Sequence, residues 1–248
     1  MKYSLVAESR IGARGMNQDR VAHWRSSDTL LMVVADGLGG HLHGEIAAQL
    51  AIDHLGAAFA QEARPVLANP GRFLLEAIRG AHQAIVAHAK EKGFRDAPRT
   101  VIAACVVQQG HACWAHVGDA RIYLIRKGRV VARTRDHSLV QHLVDEGRIR
   151  EDAMASHPER NRLLQCLGGF HLPRPDRPAS YRLAKHDLLL LCSDGFWGPL
   201  TQRQLLHALL MRPLAQAIPE LMALAETRAG PQCDNVSVVA MTWDPNIE

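Results

Sequence analysis

Leu31-Met32-Val33-Val34-Ala35-Asp36-Gly37-Leu38-Gly39-Gly40-His41, followed by Gly44-Glu45-Ile46-Ala47-Ala48, is the stretch on which the reading of this chain turns. Its first five residues are apolar without a break, as in a strand buried in a sheet. Asp36 ends the run. Asp-Gly is a common turn signal, yet no returning strand follows. Instead a glycine-rich loop leads into Gly44–Ala60, where Ile46, Ala47, Leu50, Ala51, Leu55 and Ala58 recur at helical spacing. Asp194 stands in the same relation to Leu189-Leu190-Leu191-Cys192-Ser193, and the Gly195-Phe196-Trp197 after it is not hairpin-like either. An acid at a buried strand end is costly unless its charge is compensated.

Other acids sit at comparable places. Asp119 follows Gly118 between two strand candidates, Asp234 opens the strand Val236–Met241, and Asp19 closes Arg14-Gly15-Met16-Asn17-Gln18-Asp19. Carboxylates converging from several strand ends repel one another unless a cation lies between them. Mg2+ and Mn2+ are hard cations that take carboxylate, carbonyl and water oxygens. A glycine after the acid lets the backbone approach an ion closely. Two readings stand on spacing alone, a set of separate turns or one metal centre, and the context of Asp36 and Asp194 favours the second.

The rest of the chain supplies a scaffold. A second helix is expected over Arg72–Lys90, stopped by Gly93–Pro98, and two more over Gln202–Met211 and Leu214–Arg228. Strands are expected at Leu30–Ala35, Val101–Val107, Ala112–Val117, Arg121–Ile125, Val130–Ala132, Leu188–Cys192 and Val236–Met241, with Lys127-Gly128 as a two-residue turn. Asp136–Arg162 reads as helical and highly charged, with Leu139, Val140, Leu143 and Val144 as a narrow apolar stripe, and a Pro-rich connector follows. No repeat or composition break divides residues 1–248, so one mixed α/β domain with segregated strands and helices is expected.

Composition narrows the partners. Lys and Arg number 29 against 25 Asp and Glu, a net +4 spread along the chain, and aromatic residues make up only 5%. Nucleic-acid binding, which needs a concentrated basic face or stacking platforms, is not indicated. The cluster Arg121, Arg126, Lys127, Arg129, Arg133 and Arg135 reads as a solvated strand face, with a docking surface for acidic or phosphorylated partners as the alternative. Five cysteines without a CxxC pair read as reduced core thiols of a cytosolic protein. The first ten residues lack a signal-peptide core, and no apolar run approaches the ~20 residues that span a bilayer. A cytoplasmic protein without membrane insertion is expected.

These motifs, taken in order, resemble the metal-dependent Ser/Thr protein phosphatases of the type 2C class, in their bacterial branch. The resemblance runs from Gly12 to Met241. It is carried by Gly12-x-Arg14-x-x-Asn17-Gln18-Asp19, Val34–His41 with Gly44-Glu45-x-Ala47-Ala48, and Val117-Gly118-Asp119-Ala120-Arg121. Thr134-x-Asp136-His137-Ser138, Cys192–Trp197 and Cys233-Asp234-Asn235-Val236-Ser237 complete it. It implies a central antiparallel β-sandwich flanked by helices on both faces, with two Mn2+ or Mg2+ ions at one end. By matching position, Asp36 would bridge both ions and Gly37 would lend its carbonyl to one. Asp194 and Asp234 would ligate the other, Asp19 would hold water in the cluster, and Arg14 would clamp the phosphate. A flap subdomain would cover about residues 136–165. Water shared by two such ions loses its proton near neutral pH and attacks phosphorus in line, so the cysteines need no nucleophilic role.

Three departures stand out. Gly198 replaces an acid that, with Asp119, would help hold a third ion. Leu38 replaces a histidine that serves as general acid in eukaryotic relatives. Pro98-Arg99-Thr100 alters a strand start. His41 and His43 suggest zinc only weakly, since His-x-His on a helix-entry loop is more often structural. Phe196-Trp197-Gly198 and His157–Leu164 resemble the branch found in type VI secretion clusters. That branch implies phosphoprotein substrates shared with an opposing Ser/Thr kinase and a forkhead-associated scaffold. The rival from another class is a catalytically silent phosphopeptide-binding module. An aspartyl-phosphate hydrolase would need an Asp-x-Asp pair that Asp36-Gly37-Leu38 lacks.

Overall fold

A computed structural model describes residues 2–38, 43–154 and 156–244. Its centre is a pair of five-stranded antiparallel sheets. One contains β2 (Arg20–Arg25), β3 (Thr29–Gly37), β4 (Thr100–Gln108), β5 (His111–Val117) and β8 (Ala179–Arg182), in the order β2-β3-β4-β5-β8. The other contains β1 (Tyr3–Arg10), β6 (Arg121–Arg126), β7 (Arg129–Arg133), β9 (Leu188–Cys192) and β10 (Val236–Trp243), in the order β1-β10-β9-β6-β7.

The unbroken apolar run of β3 follows from its place between two cores. Side chains alternate across a strand, and here both sides are dry. Leu31, Val33 and Ala35 pack under α1 (Gly44–Glu62) and α2 (Pro70–Glu91), against Leu55, Phe59, Phe73 and Ile78. Leu30, Met32 and Val34 face the second sheet, against Ile122, Leu124, Leu189 and Val239. β9 repeats the arrangement: Leu189 and Leu191 point into the sandwich. Leu188, Leu190 and Cys192 pack outward on Leu205 of α5 (Gln202–Met211) and on Ile218, Leu221 and Met222 of α6 (Leu214–Ala229). The result is four layers, helices outside and sheets inside. Leu31→Ala in this setting costs about 2–5 kcal/mol.

Local chemistry sets the element ends. The Asn69 side chain caps α2 by accepting from Arg72 N at 3.0 Å, with Pro70 at its first position. Thr201 and Gln204 form a reciprocal capping box on α5. Lys127 and Gly128, with φ of 50° and 70°, make the expected tight hairpin turn. All five cysteines are free, four of them buried. No helix among the described residues is long and apolar enough to cross a membrane.

Two expectations are corrected. Strands β1, β2 and β8 were not expected. They mix Glu8, Arg10, His23, Arg25 and Arg182 with apolar residues and lie at or beside sheet edges, so no apolar run marks them. The charged region 136–162 is much less helical than its pattern suggests. It forms only α3 (Leu139–Asp145) and one 3-10 turn at Glu151–Ala153. Gly147, at φ 68°, turns the chain, and beyond Leu143 no apolar stripe remains to bury a longer helix.

Candidate metal centre

Strand register carries the acids to one end of the sandwich. Asp36 lies opposite Val101 on β4, and Ile102 lies opposite Val117, so Gly118-Asp119 leaves β5 beside Asp36. In the other sheet Cys192 pairs with both Val238 and Arg121, which places Ser193-Asp194, Asp119-Ala120 and Asp234-Asn235 at the same end. Asp19 directly precedes β2, where Arg20 pairs with Ala35. Five strand ends thus meet at one cleft.

The electrostatics there are severe. Burial raises the Asp36 carboxyl well above its ordinary range, and the charges of Asp19, Asp194, Asp119 and Asp234 push it the same way. Asp119 is also raised well above its usual value, by burial and then by Asp194 and Asp136. Asp194 is raised to about 6 by burial and by Asp234. Asp19 is raised to about 7, again mainly by burial, and its Oδ2 is buried without a hydrogen-bond partner. Arg14 is the cation that reaches the group, donating to Asp234 Oδ2 at 2.7 Å while remaining half exposed. One arginine does not balance this set. Crowded carboxylates, one with an orphaned oxygen, are the donors that hard divalent cations take, so the residues present fit such ions.

Backbone packing fixes the positions. Gly37 is buried where β3 ends, and a Cβ on it would come within 2.5 Å of the Gly44 carbonyl and 2.7 Å of the Gln18 carbonyl. Thr100 Oγ1 donates to the Asp36 carbonyl at 2.7 Å. The altered strand start therefore does more than begin β4, since it holds the backbone of the central acid. Gly12 has φ 60° and lies so close to the Asp234 carbonyl that a Cβ would sit 2.1 Å from it. That close approach brings the loop carrying Arg14 over the cleft.

Asn235 was not expected as a functional residue. Its Nδ2 donates to the carbonyls of Ile11 and Met16 at 2.8 and 3.0 Å, and its Oδ1 accepts from Gln18 N at 2.8 Å. It pins the loop that holds Arg14 and Asp19. Its sequence signal is slight, an amide directly after an acid at a strand start. Arg121 is a second omission and a correction to the solvated-face reading. It is buried, bonded to Asp136 by Nε at 2.8 Å and Nη2 at 2.7 Å, and its guanidinium lies 3.3 Å from the Trp197 ring centre. Trp197 Nε1 in turn donates to the Asp119 carbonyl at 3.0 Å.

The cleft has a volume near 440 Å³ and is lined by Arg14, Asp119, Asp194, Asp234, Arg160 and Arg228, among others. Gly39, Gly40 and His41 lie outside the described residues. His43 stacks on Phe94 with ring centres 4.8 Å apart, a structural contact. A separate group, His116, His137 and Asp176, lies beside the flap root. Its two rings are stacked 4.4 Å apart at 28°, and His116 Nε2 is 2.8 Å from the Arg135 carbonyl.

Comparison with known proteins agrees with this architecture. The serine/threonine protein phosphatase PstP of Mycobacterium tuberculosis is 34% identical over 231 residues, covering 91% of this chain; the chain spans only 42% of PstP's length. The serine/threonine phosphatase Stp of Listeria monocytogenes is 30% identical over 235 residues, 93% of this chain and 92% of Stp. A solved PstP catalytic domain, in complex with two manganese ions, superposes with a TM-score of 0.81 at 31% identity, covering 97% of each chain. PppA, described as a key regulatory component of the type VI secretion system in Pseudomonas aeruginosa, superposes with a TM-score of 0.78 at 25% identity, covering 98% of this chain and 99% of PppA. The family model described as Protein phosphatase 2C matches residues 7–227. With four layers and an aspartate-lined cleft in common register with that match, this chain belongs to the protein phosphatase 2C family.

Proposed function

We propose that this chain hydrolyses phosphoserine and phosphothreonine on proteins, using two divalent cations, Mn2+ or Mg2+, held by its aspartate cluster. The observation that carries the proposal is the convergence of Asp36, Asp119, Asp194 and Asp234 at one end of the sandwich, where Asp234 is ion-paired to Arg14 and the carboxyls of Asp36, Asp119 and Asp194 are all raised by burial and mutual repulsion. Asp36, the Gly37 carbonyl, Asp194 and Asp234 would hold these ions. Asp119 remains the one acid for a third, weaker position, because Gly198 brings no carboxylate. Bound cations supply the positive charge that acidifies water and offsets the phosphoryl oxygens.

The chain's own groups do the rest. Asp19, buried with Oδ2 unpartnered, accepts a hydrogen bond from a water in the cluster and orients it toward phosphorus. Arg14 is held over the cleft by Asp234. Its planar fork suits two phosphoryl oxygens at once and favours the charge spread over the transition state. Leu38 offers no proton, so the leaving oxygen must take one from water or from a nearby histidine. Residues 136–165 form the flap beside the cleft within a single phosphatase domain spanning 1–248. The chain acts in the cytoplasm against a Ser/Thr kinase. Likeness to PppA over nearly the whole chain supports a place in type VI secretion control, with a kinase and a forkhead-associated scaffold as shared phosphoproteins.

The test is direct. Purified protein with Mn2+ is expected to release phosphate from para-nitrophenyl phosphate and from a phosphothreonine peptide, and chelation is expected to abolish both. Absence of turnover with Mn2+ and with Mg2+, together with retained phosphopeptide binding, would establish the silent module instead. Phosphoproteomics of a deletion strain tests the secretion assignment, which fails if no secretion-cluster protein gains phosphate.

A further inference from the structure

The cleft above the aspartates is open on one side. Met154, Trp197, Gly198 and Pro199 line it and also line a second hollow of about 850 Å³ that runs toward β7 and the start of α5. Gly198 sits at the junction. Its backbone is helical, with φ −61° and ψ −47°, so conformation does not demand a glycine there. A Cβ at that point would lie 2.8 Å from the Asp194 carbonyl. The two spaces adjoin there, with Met154, Trp197, Gly198 and Pro199 as their common wall.

One side of the second hollow is apolar, with Met154, Trp197, Pro199, Leu200 and Leu205, while Tyr123, Thr201 and Gln202 add polar groups. Its rim carries Arg133, Arg150, Glu151 and Asp152, but these charges are already matched. Arg133 pairs with Glu151 at 2.8 Å and Arg150 with Asp152 at 2.5 Å. Below them Arg121 is held by Asp136. With these charges largely offset, the rim gives an entering acidic side chain little net attraction. An apolar side chain only displaces water from Trp197 and Met154, which is favourable in proportion to the area covered.

We infer that this hollow receives the polypeptide on one side of the phosphoresidue and selects an apolar side chain there. The inference rests on the phosphatase reading and names a specificity pocket for it. The phosphoresidue occupies the aspartate cleft, the backbone passes Gly198, and the apolar side chain lies against Trp197 and Met154. Recognition is therefore insensitive to salt, unlike docking on a basic face.

The experiment compares one small and many extended substrates on the unmodified Mn2+-loaded chain. Phosphothreonine peptides carry Leu, Ala or Glu at each of the four positions on either side, about 13 Å of extended chain in each direction. At one position Leu is expected to raise kcat/KM about tenfold over Ala, mainly through KM, and Glu is not. Gln202→Trp, at an exposed position lining the hollow, is expected to remove that gain while para-nitrophenyl phosphate turnover stays unchanged. A flat Leu-versus-Ala series with normal para-nitrophenyl phosphate turnover overturns the pocket alone. So does a gain for Glu, or a Leu gain that survives in a folded Gln202→Trp protein. Failure to hydrolyse para-nitrophenyl phosphate overturns the phosphatase reading and the pocket with it.

Discussion

Two charged regions of this molecule are built in opposite ways. On the face of β6 and β7, basic side chains meet acids of the same chain: Arg121 with Asp136, Arg126 with Asp187, Arg133 with Glu151 and Arg135 with Asp145. Lys127 and Arg129, near the hairpin turn, and Arg135 keep the solvated character that the sequence suggests for the whole cluster. At the end of the sandwich the reverse holds. Asp19 and Asp119 are buried, Asp36 and Asp194 lie half-buried beside them, and Arg14 reaches across to Asp234. Density of charge says little about where a ligand belongs; charge left uncompensated says a great deal. Crowded carboxylates at a half-buried site are costly, and the fold keeps several at one place, with Asp19 Oδ2 buried and without a hydrogen-bond partner.

The comparison is tested most forcefully by neutralising its centre. Asp36→Asn is expected to reduce Mn2+-dependent phosphate release on the order of 10³-fold or more, about 4 kcal/mol of transition-state stabilisation. Its metal-free melting temperature should stay level or rise, because a crowded, half-buried carboxyl is removed. Turnover near wild type would remove Asp36 from the metal centre. A large loss of metal-free stability would mean that the cluster is structural rather than uncompensated.

On the paired side, the expected effect is a loss of fold and not of chemistry. Arg121 and Asp136 are 9% and 2% exposed and share two hydrogen bonds. Asp136→Leu strands a buried guanidinium and is expected to cost about 3–5 kcal/mol in denaturant unfolding. Adding Arg121→Met should restore most of it, since an apolar pair of similar volume avoids desolvating two charges. If the double variant is no more stable than the single one, the stacking on Trp197 outweighs the ion pair.

How much of this was legible follows from the same contrast. Strands buried on both faces announce themselves as apolar runs, so β3, β4 and β9, and the acids Asp36 and Asp194 at the ends of β3 and β9, could be read directly. Edge strands such as β1 and β2 alternate with charged residues and hide among loops. The partner of a charge is a long-range fact: Arg121 and Asp136 are 15 residues apart, and Asn235 reaches Ile11 across 224. No local pattern distinguishes a buried, paired arginine from a solvated one. Gly198 could be seen as a missing acid, but its place between two hollows could not.

Buried acids and a buried histidine on β5 respond to pH with opposite signs. In metal-free protein Asp19 and Asp194 keep their protons up to about 7 and about 6, whereas an unfolded aspartate loses its proton near 3.9. Their contribution is complete below that unfolded value and is lost as pH rises through 6 and 7. His116, held near 4 by burial and by neighbouring His137, contributes above its unfolded value of about 6.5 and loses that contribution as pH falls toward 4. Each fully titrating group changes stability by about 1.4 kcal/mol per pH unit. The carboxylates outnumber the histidine, so chelated protein is expected to melt at a lower temperature at pH 7.5 than at pH 5.5. With Mn2+ present the order should reverse, because the cation needs the ionised carboxylates. Parallel pH profiles with and without metal would show that the acids are compensated by something other than a cation.

The smallest effect comes from the outermost pair. Arg135 and Asp145 are 63% and 41% exposed, and Asp145 also accepts from Gln141 Nε2 at 2.8 Å. Solvent screens such a pair, and ordering two flexible side chains offsets part of the attraction. Arg135→Ala is therefore expected to change stability by about 0–1 kcal/mol and phosphate release not at all. The measurement is urea unfolding at low and at high salt. A loss well above that range, persisting at high salt, would place Arg135 with the buried pair of Arg121. It would also mean that pairing holds the flap root in place, as it does the core of the strand face.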